Sequence, residues 1–189
     1  MTTVPRLRAC PDEYGGVGMF AGEDIDEGVV VTHYFGPIRF PSIDKATSKT
    51  HSLRILGDMS VPVDRRECRV IDGIWAKEAL EKHLETQDKS GKVAVELTPF
   101  LGSMINSSRN TGSPANVMTD ARVHDQQDSV FAYTFLSQSA VRTFLTDKQL
   151  QDEILGDKTR SWVKLAIVST RRIAEGEELT WSYPYRHQI

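Results

Sequence analysis

Apolar residues along this chain fall in short runs separated by polar, glycine-bearing breaks, and most runs are too short to make helices. Val29-Val30-Val31-Thr32-His33-Tyr34-Phe35 is β-branched and aromatic and predicts a strand, with Gly36-Pro37 as its stop. Trp162 to Thr170 predicts a second long strand, and Glu175-Gly176 a turn ahead of a strand over Leu179–Tyr183. Shorter strands are predicted at Met19–Ala21, His51–Leu56, Arg69–Ile71 and Val130–Leu136, with Asp72-Gly73 as a turn. Helical character is confined to three places. Trp75 to Glu85 is rich in helix formers, and Thr98-Pro99 marks a helix start leading through Phe100 and Leu101 to Ile105. Ser139–Leu155 carries apolar positions that partly follow one helical face. Polar stretches at 40–50, 88–92 and 106–114 read as loops. Strands and helices do not alternate as in a parallel α/β sheet, so the expected class is a β-rich α+β domain.

The 189 residues suit one domain, and 39% hydrophobic with 26% charged residues is an ordinary globular balance. With 26 acidic against 23 basic residues the net charge is −3. That disfavours direct nucleic-acid binding and suits a cationic peptide. Two cysteines, Cys10 and Cys68, and five histidines at no zinc-finger spacing predict neither a structural metal site nor a disulfide framework. A reducing, intracellular compartment follows. Arg65-Arg66 and Arg171-Arg172 are too short for a nuclear signal, which leaves nucleus and cytoplasm both open. Met1 to Arg8 lacks the apolar stretch of a signal peptide, and no run is long enough to span a bilayer, so no membrane partner is expected. Oligomeric state is not legible.

Four local patterns occur in order. Gly16-Val17-Gly18 precedes a short apolar strand, where missing side chains let a ligand approach the backbone. It is no dinucleotide fingerprint, because the third glycine and the following helix are missing. Tyr34-Phe35-Gly36 closes a strand. Met104-Ile105-Asn106-Ser107-Ser108 leads to Pro114-Ala115-Asn116-Val117. Last comes Gly176-Glu177-Glu178-Leu179-Thr180-Trp181-Ser182-Tyr183-Pro184-Tyr185, whose aromatics at 181, 183 and 185 would share one side of a strand. Singly, each also fits a plain structural role: a hairpin turn, a buried aromatic pair, a capped helix end, a core wall.

Taken together, from about Tyr14 to Tyr185, the set resembles the SET-domain family of protein lysine methyltransferases. The family's pattern is Gly-x-Gly, Tyr-x-Gly, Asn-His-Ser with a nearby Pro-Asn, and Gly-Glu-Glu-Leu-Thr-aromatic-Asp-Tyr. The resemblance implies a SET-domain (β-clip) fold of several small sheets with a C-terminal pseudoknot and helical inserts. It implies one SET domain over 1–189, a central variable insert at 40–100 and a helical insertion at 137–160. It further implies S-adenosyl-L-methionine as cofactor, bound by Gly16, Val17, Gly18, Asn106 and Ser107. Tyr183 would be the catalytic tyrosine, Tyr34, Trp181 and Tyr185 would line the substrate-lysine channel, and a histone tail would be a possible substrate.

The chemistry is a displacement at a sulfonium methyl by a neutral amine, with no metal required. Free lysine has a pKa of ~10.4, and a dry aromatic channel lowers it. Three positions depart from the family: Ser107 stands for histidine, Ser182 for aspartate, and Ala115 separates proline from asparagine. Flanking zinc-binding cysteine modules are absent from the sequence, as in a compact member. Trp181 is bulkier than the family's usual phenylalanine or tyrosine and predicts a low methylation state. Ser107 and Ser182 support a rival reading, a non-catalytic SET-like module that binds a peptide or protein. A β-rich carbohydrate or small-ligand domain explains the composition but not the ordered motifs.

Overall fold

A computed structural model of the chain describes residues 5–11, 17–39, 52–55, 69–73, 101–119, 133–137 and 162–182. The expected helices at 75–85 and 139–155, the loops at 40–50 and 88–92, and the residues Gly16, Tyr183 and Tyr185 lie outside them.

Besides a 3₁₀ turn over 101–104, ten strands and one turn of α-helix make up the described fold. They are β1 (Leu7–Pro11), β2 (Val17–Ala21), β3 (Val30–Arg39), β4 (Ser52–Ile55), β5 (Arg69–Asp72), β6 (Asn106–Ser107), α1 (Ser108–Thr111), β7 (Val117–Thr119), β8 (Tyr133–Leu136), β9 (Trp162–Ser169) and β10 (Thr180–Trp181). β1 and β2 form an antiparallel hairpin running from Leu7 opposite Ala21 to Pro11 opposite Val17. Leu7 and Ala9 are buried while Arg6 and Arg8 face water, the two-residue alternation of a half-covered ribbon. The other eight strands form one path ordered β4-β5-β3-β9-β7-β10-β6, with β8 on β9.

β9 is the hub. β3 runs antiparallel along one edge. The other edge is shared, β8 taking Trp162 to Leu165 and β7 taking Ile167 to Ser169. Lys164 and Ala166 on one face are half-buried, while Val163, Leu165 and Ile167, which share the other face, are fully buried. They pack with Met19, Tyr34 and Leu179 in the core.

Two expectations fail along the ladder for physical reasons. Gly36-Pro37 does not stop β3, which continues to Arg39. Pro37 lies opposite Trp162, the first residue of β9, and from Ile38 the strand pairs with β5 instead. A residue without an N–H is tolerated where one ladder ends and the next begins. The α-helix expected to lead to Ile105 is, over 101–104, a 3₁₀ turn. It is pressed onto β3: a Cβ at Gly102 would lie 2.6 Å from the Tyr34 nitrogen and 2.7 Å from the His33 carbonyl carbon. A tight turn is the helical form such a short, crowded segment can hold.

The stretch 106–114 is not simply a loop. It contains β6 and α1, with Ser107 as the N-cap of α1 and Gly112 ending it at φ 69°. The strand expected over Leu179–Tyr183 is, within the described residues, the two-residue β10. Its brevity hides its position. β10 runs parallel to β6, with Thr180 opposite Asn106 and Trp181 opposite Ser107, and also parallel to β7, with Trp181 opposite Val117. Since β6 and β7 are the two ends of one segment, the C-terminal strand is threaded into that segment's grasp. This is the pseudoknot that the resemblance implies.

Candidate functional site

The chain reaches β10 through a turn that sets its direction. Ala174 to Glu177 closes with the Glu177 N–H donating to the Ala174 carbonyl at 3.0 Å, and Gly176 takes φ 83° at the third position. That dihedral favours glycine. The turn is fastened to β2: Gly176 N–H donates to Ala21 O, Ala21 N–H to Glu177 O and Leu179 N–H to Met19 O, at 2.7–2.9 Å. Residue 178 therefore lies opposite Phe20, beside Gly18.

On this side a polar cluster forms. The Asn106 Nδ2 donates to Glu178 Oε1 at 2.8 Å. A Cβ on Gly18 would meet that same Glu178 oxygen at 2.7 Å and Asn106 Nδ2 at 3.3 Å. Val17, Asn106, Ser107 and Glu178 are each half-buried, so the cluster reaches the surface. The structure thus brings Gly18 and Asn106 together, with Val17 alongside. Ser107 Oγ accepts from the Arg109 N–H at 3.4 Å, capping its own helix.

On the other side the contact is aromatic. Tyr34 and Trp181 meet edge to face, ring centroids 5.9 Å apart and planes at 67°, a favoured arrangement of ring quadrupoles. Both are sealed, at 0% and 2% exposure. Ser103 and Tyr34 both crowd Gly73, where an added Cβ would lie 2.7 Å from the Ser103 Cβ and 3.1 Å from the Tyr34 ring. Ser103 Oγ and His33 Nδ1 are buried without a hydrogen-bond partner among the described residues. Burial, helped by the Lys164 charge, pushes the His33 pKa down to about 4.

Asn116 ties the two sides together and was not singled out from the sequence as a site residue. Its side chain donates to the Glu178 carbonyl at 2.8 Å and to Glu177 Oε1 at 3.2 Å, and accepts from the Thr180 N–H at 2.8 Å. Its backbone N–H donates to the Thr180 carbonyl at 3.0 Å. Thr180 Oγ1 in turn donates to the Pro114 carbonyl at 2.9 Å. The extra residue Ala115 thus leaves Asn116 bonded to β10. Glu178 was likewise quoted only as part of a motif. The signal for both was their place in the Pro-Ala-Asn and Gly-Glu-Glu-Leu patterns.

The SET domain family model matches residues 16–184. The chain belongs to the SET-domain family. The match spans both glycines of the Gly-x-Gly pattern, the threaded strand and Tyr183. Comparison with curated proteins finds no match. The family is one of lysine methyltransferases that use S-adenosylmethionine. The amide and carboxylate that stand beside residue 18 have the chemistry to meet the amino-acid end of such a cofactor.

Proposed function

We propose that this SET-domain protein transfers a methyl group from S-adenosyl-L-methionine to a lysine side chain of a basic, histone-like protein segment inside the cell. The observation that carries the reading is the double placement of one short segment. Residues 176–181 put Glu178 against Gly18 and Asn106, and Trp181 against Tyr34. Cofactor-type and channel-type residues thus flank a single short segment.

In this reading Gly16 to Gly18, Asn106 and Ser107 hold the cofactor, which supplies an electrophilic methyl on a sulfonium. Tyr34, Trp181 and Tyr185 strip water from the substrate ammonium, which favours the neutral amine that must attack. Aromatic faces tolerate the cation until it loses its proton. The Tyr183 hydroxyl orients the amine. Alignment of this kind accounts for ~7–11 kcal/mol of a barrier, so little else is required of the protein.

The test is transfer of labelled methyl from S-adenosylmethionine to core histones, by wild type and by Tyr183→Phe. Label on wild type, reduced by about a hundredfold or more in the variant, is the expected result. Label that survives in Tyr183→Phe removes the assigned residue, and none with wild type removes the histone substrate. Mass spectrometry of the product reads the role of Trp181: the bulky ring leaves room for one methyl, and mainly trimethyl-lysine refutes that.

A second reading, a non-catalytic peptide-binding module, is favoured by Ser107, whose hydroxyl turns to the Arg109 N–H. Calorimetric titration with S-adenosylmethionine separates the two, since the module binds none.

A further inference from the structure

Three segments distant in sequence meet at one carboxylate. Glu178 Oε1 accepts from the Asn106 amide, a residue 72 positions away, and the same oxygen occupies the space a side chain at residue 18 would take. The backbone of residue 178 is fixed as well, by its bridge to Phe20 and by the Asn116 side chain on its carbonyl. Leu179, the next residue, is fully buried in the core. The backbone of Glu178 is therefore fixed, and its carboxylate is tied to Asn106.

An ionised carboxylate only accepts hydrogen bonds, whereas a side-chain amide has one donating end and one accepting end. Facing Glu178, Asn106 must present its NH2, and its carbonyl oxygen must point the other way. Removing the carboxylate removes the charged acceptor that favours that orientation. The contact is charge-assisted and half-buried, the circumstances in which a side-chain hydrogen bond holds a geometry firmly.

We propose that Glu178 is a positioning residue for the cofactor: it fixes the direction of the Asn106 amide, and residue 18 is glycine to leave that carboxylate its place. This rests on the functional reading above. The glycine then serves a neighbouring side chain as well as an approaching ligand.

The test measures S-adenosylmethionine affinity, kcat, KM and thermal midpoint for wild type, Glu178→Ala, Glu178→Gln, Gly18→Ala and the double variant Gly18→Ala/Glu178→Ala. Glu178→Ala should weaken cofactor binding about tenfold, raising KM for the cofactor while kcat at saturation changes little. Glu178→Gln, which keeps an accepting oxygen, should recover most of the affinity. Gly18→Ala should weaken binding like Glu178→Ala, and the double variant should be no worse than either single change, because the added methyl then enters vacated space. Unchanged affinity in Glu178→Ala, or additive losses in the double variant, overturns the proposal. If Glu178→Ala does not fold, Glu178→Gln and Gly18→Ala decide, since equal affinity in Gly18→Ala and wild type is also fatal to it. A wild type that binds no cofactor sinks the functional reading itself. The Asn106 side-chain amide resonances then still report the contact, and their staying unshifted in Glu178→Gln and Gly18→Ala refutes the positioning claim separately.

Discussion

The two flanks of residues 176–181 are built on opposite principles. Toward Gly18 the contact is a carboxylate on an amide, half-buried and dependent on which atoms stand where. Toward Tyr34 it is one ring edge on another, sealed from water and dependent on volume. The difference teaches that one short segment can, on the proposed function, tune cofactor geometry and channel shape almost independently, because changes of atom type act on one flank and changes of size on the other.

The most severe way to break the aromatic flank is Trp181→Ala. Emptying a fully buried indole site costs about 3–5 kcal/mol, a large share of a domain's stability. Urea unfolding should show the midpoint fall while the slope stays constant.

The second probe is acid, read through His33 on β3. Its folded pKa, about 4, lies below its ordinary 6.5, so the native state favours the neutral ring. This stability is complete above pH 6.5 and is lost as pH falls from there toward 4, on the order of 3 kcal/mol. His33→Gln should flatten the pH dependence of the urea midpoint within that window. A slope equal to that of wild type removes the histidine as its cause.

Third in size is the tie between the flanks. Asn116→Ala deletes three side-chain hydrogen bonds and leaves the buried Thr180 N–H unpartnered, at about 2–3 kcal/mol. Because both flanks hang from this residue, the variant should also loosen cofactor binding, whereas an equally destabilising core truncation far from residue 116 should not.

The smallest effect belongs to the surface. Arg172 pairs with Asp24 at 2.7 Å, and both are exposed. Arg172→Ala should lower the neutral-pH midpoint only slightly, as exposed pairs contribute little, and that small deficit should disappear in acid. The Glu175 N–H first, and then Arg172, hold the Asp24 carboxyl below its usual range. Its stability is present above the ordinary carboxylate pKa and lost as pH falls through the lowered one, below the His33 window.

The hub strand was legible because Trp162 to Ser169 combines β-branched and aromatic residues with no breaker. So were Met19–Ala21 of β2 and the turn at Gly176, whereas Val17 and Gly18 read as a turn and the hairpin partner β1 was not legible. The continuation of β3 past Gly36-Pro37 was not, because only the hand-over from β9 to β5 makes a proline harmless there. The 3₁₀ turn at 101–104 was missed for a similar reason, since the backbone that crowds Gly102 belongs to His33 and Tyr34. In the site, the ordered motifs marked Gly18, Asn106, Tyr34 and Trp181, which the fold brings together in pairs. No local pattern could report that Glu178 reaches Asn106, because hydrogen bonds between distant segments leave no periodicity in the chain.

The threaded position of β10 also orders events in time. During synthesis, residues 106–119 emerge well before the strand they must enclose, so this clasp waits open until Thr180 and Trp181 arrive. Pairings so remote in sequence are slow to form. Closure of the clasp is therefore tied to the arrival of residues 180 and 181, and a ribosome that stalls before codon 180 releases a product whose early sheets can assemble but whose β6 and β7 lack the strand that joins them.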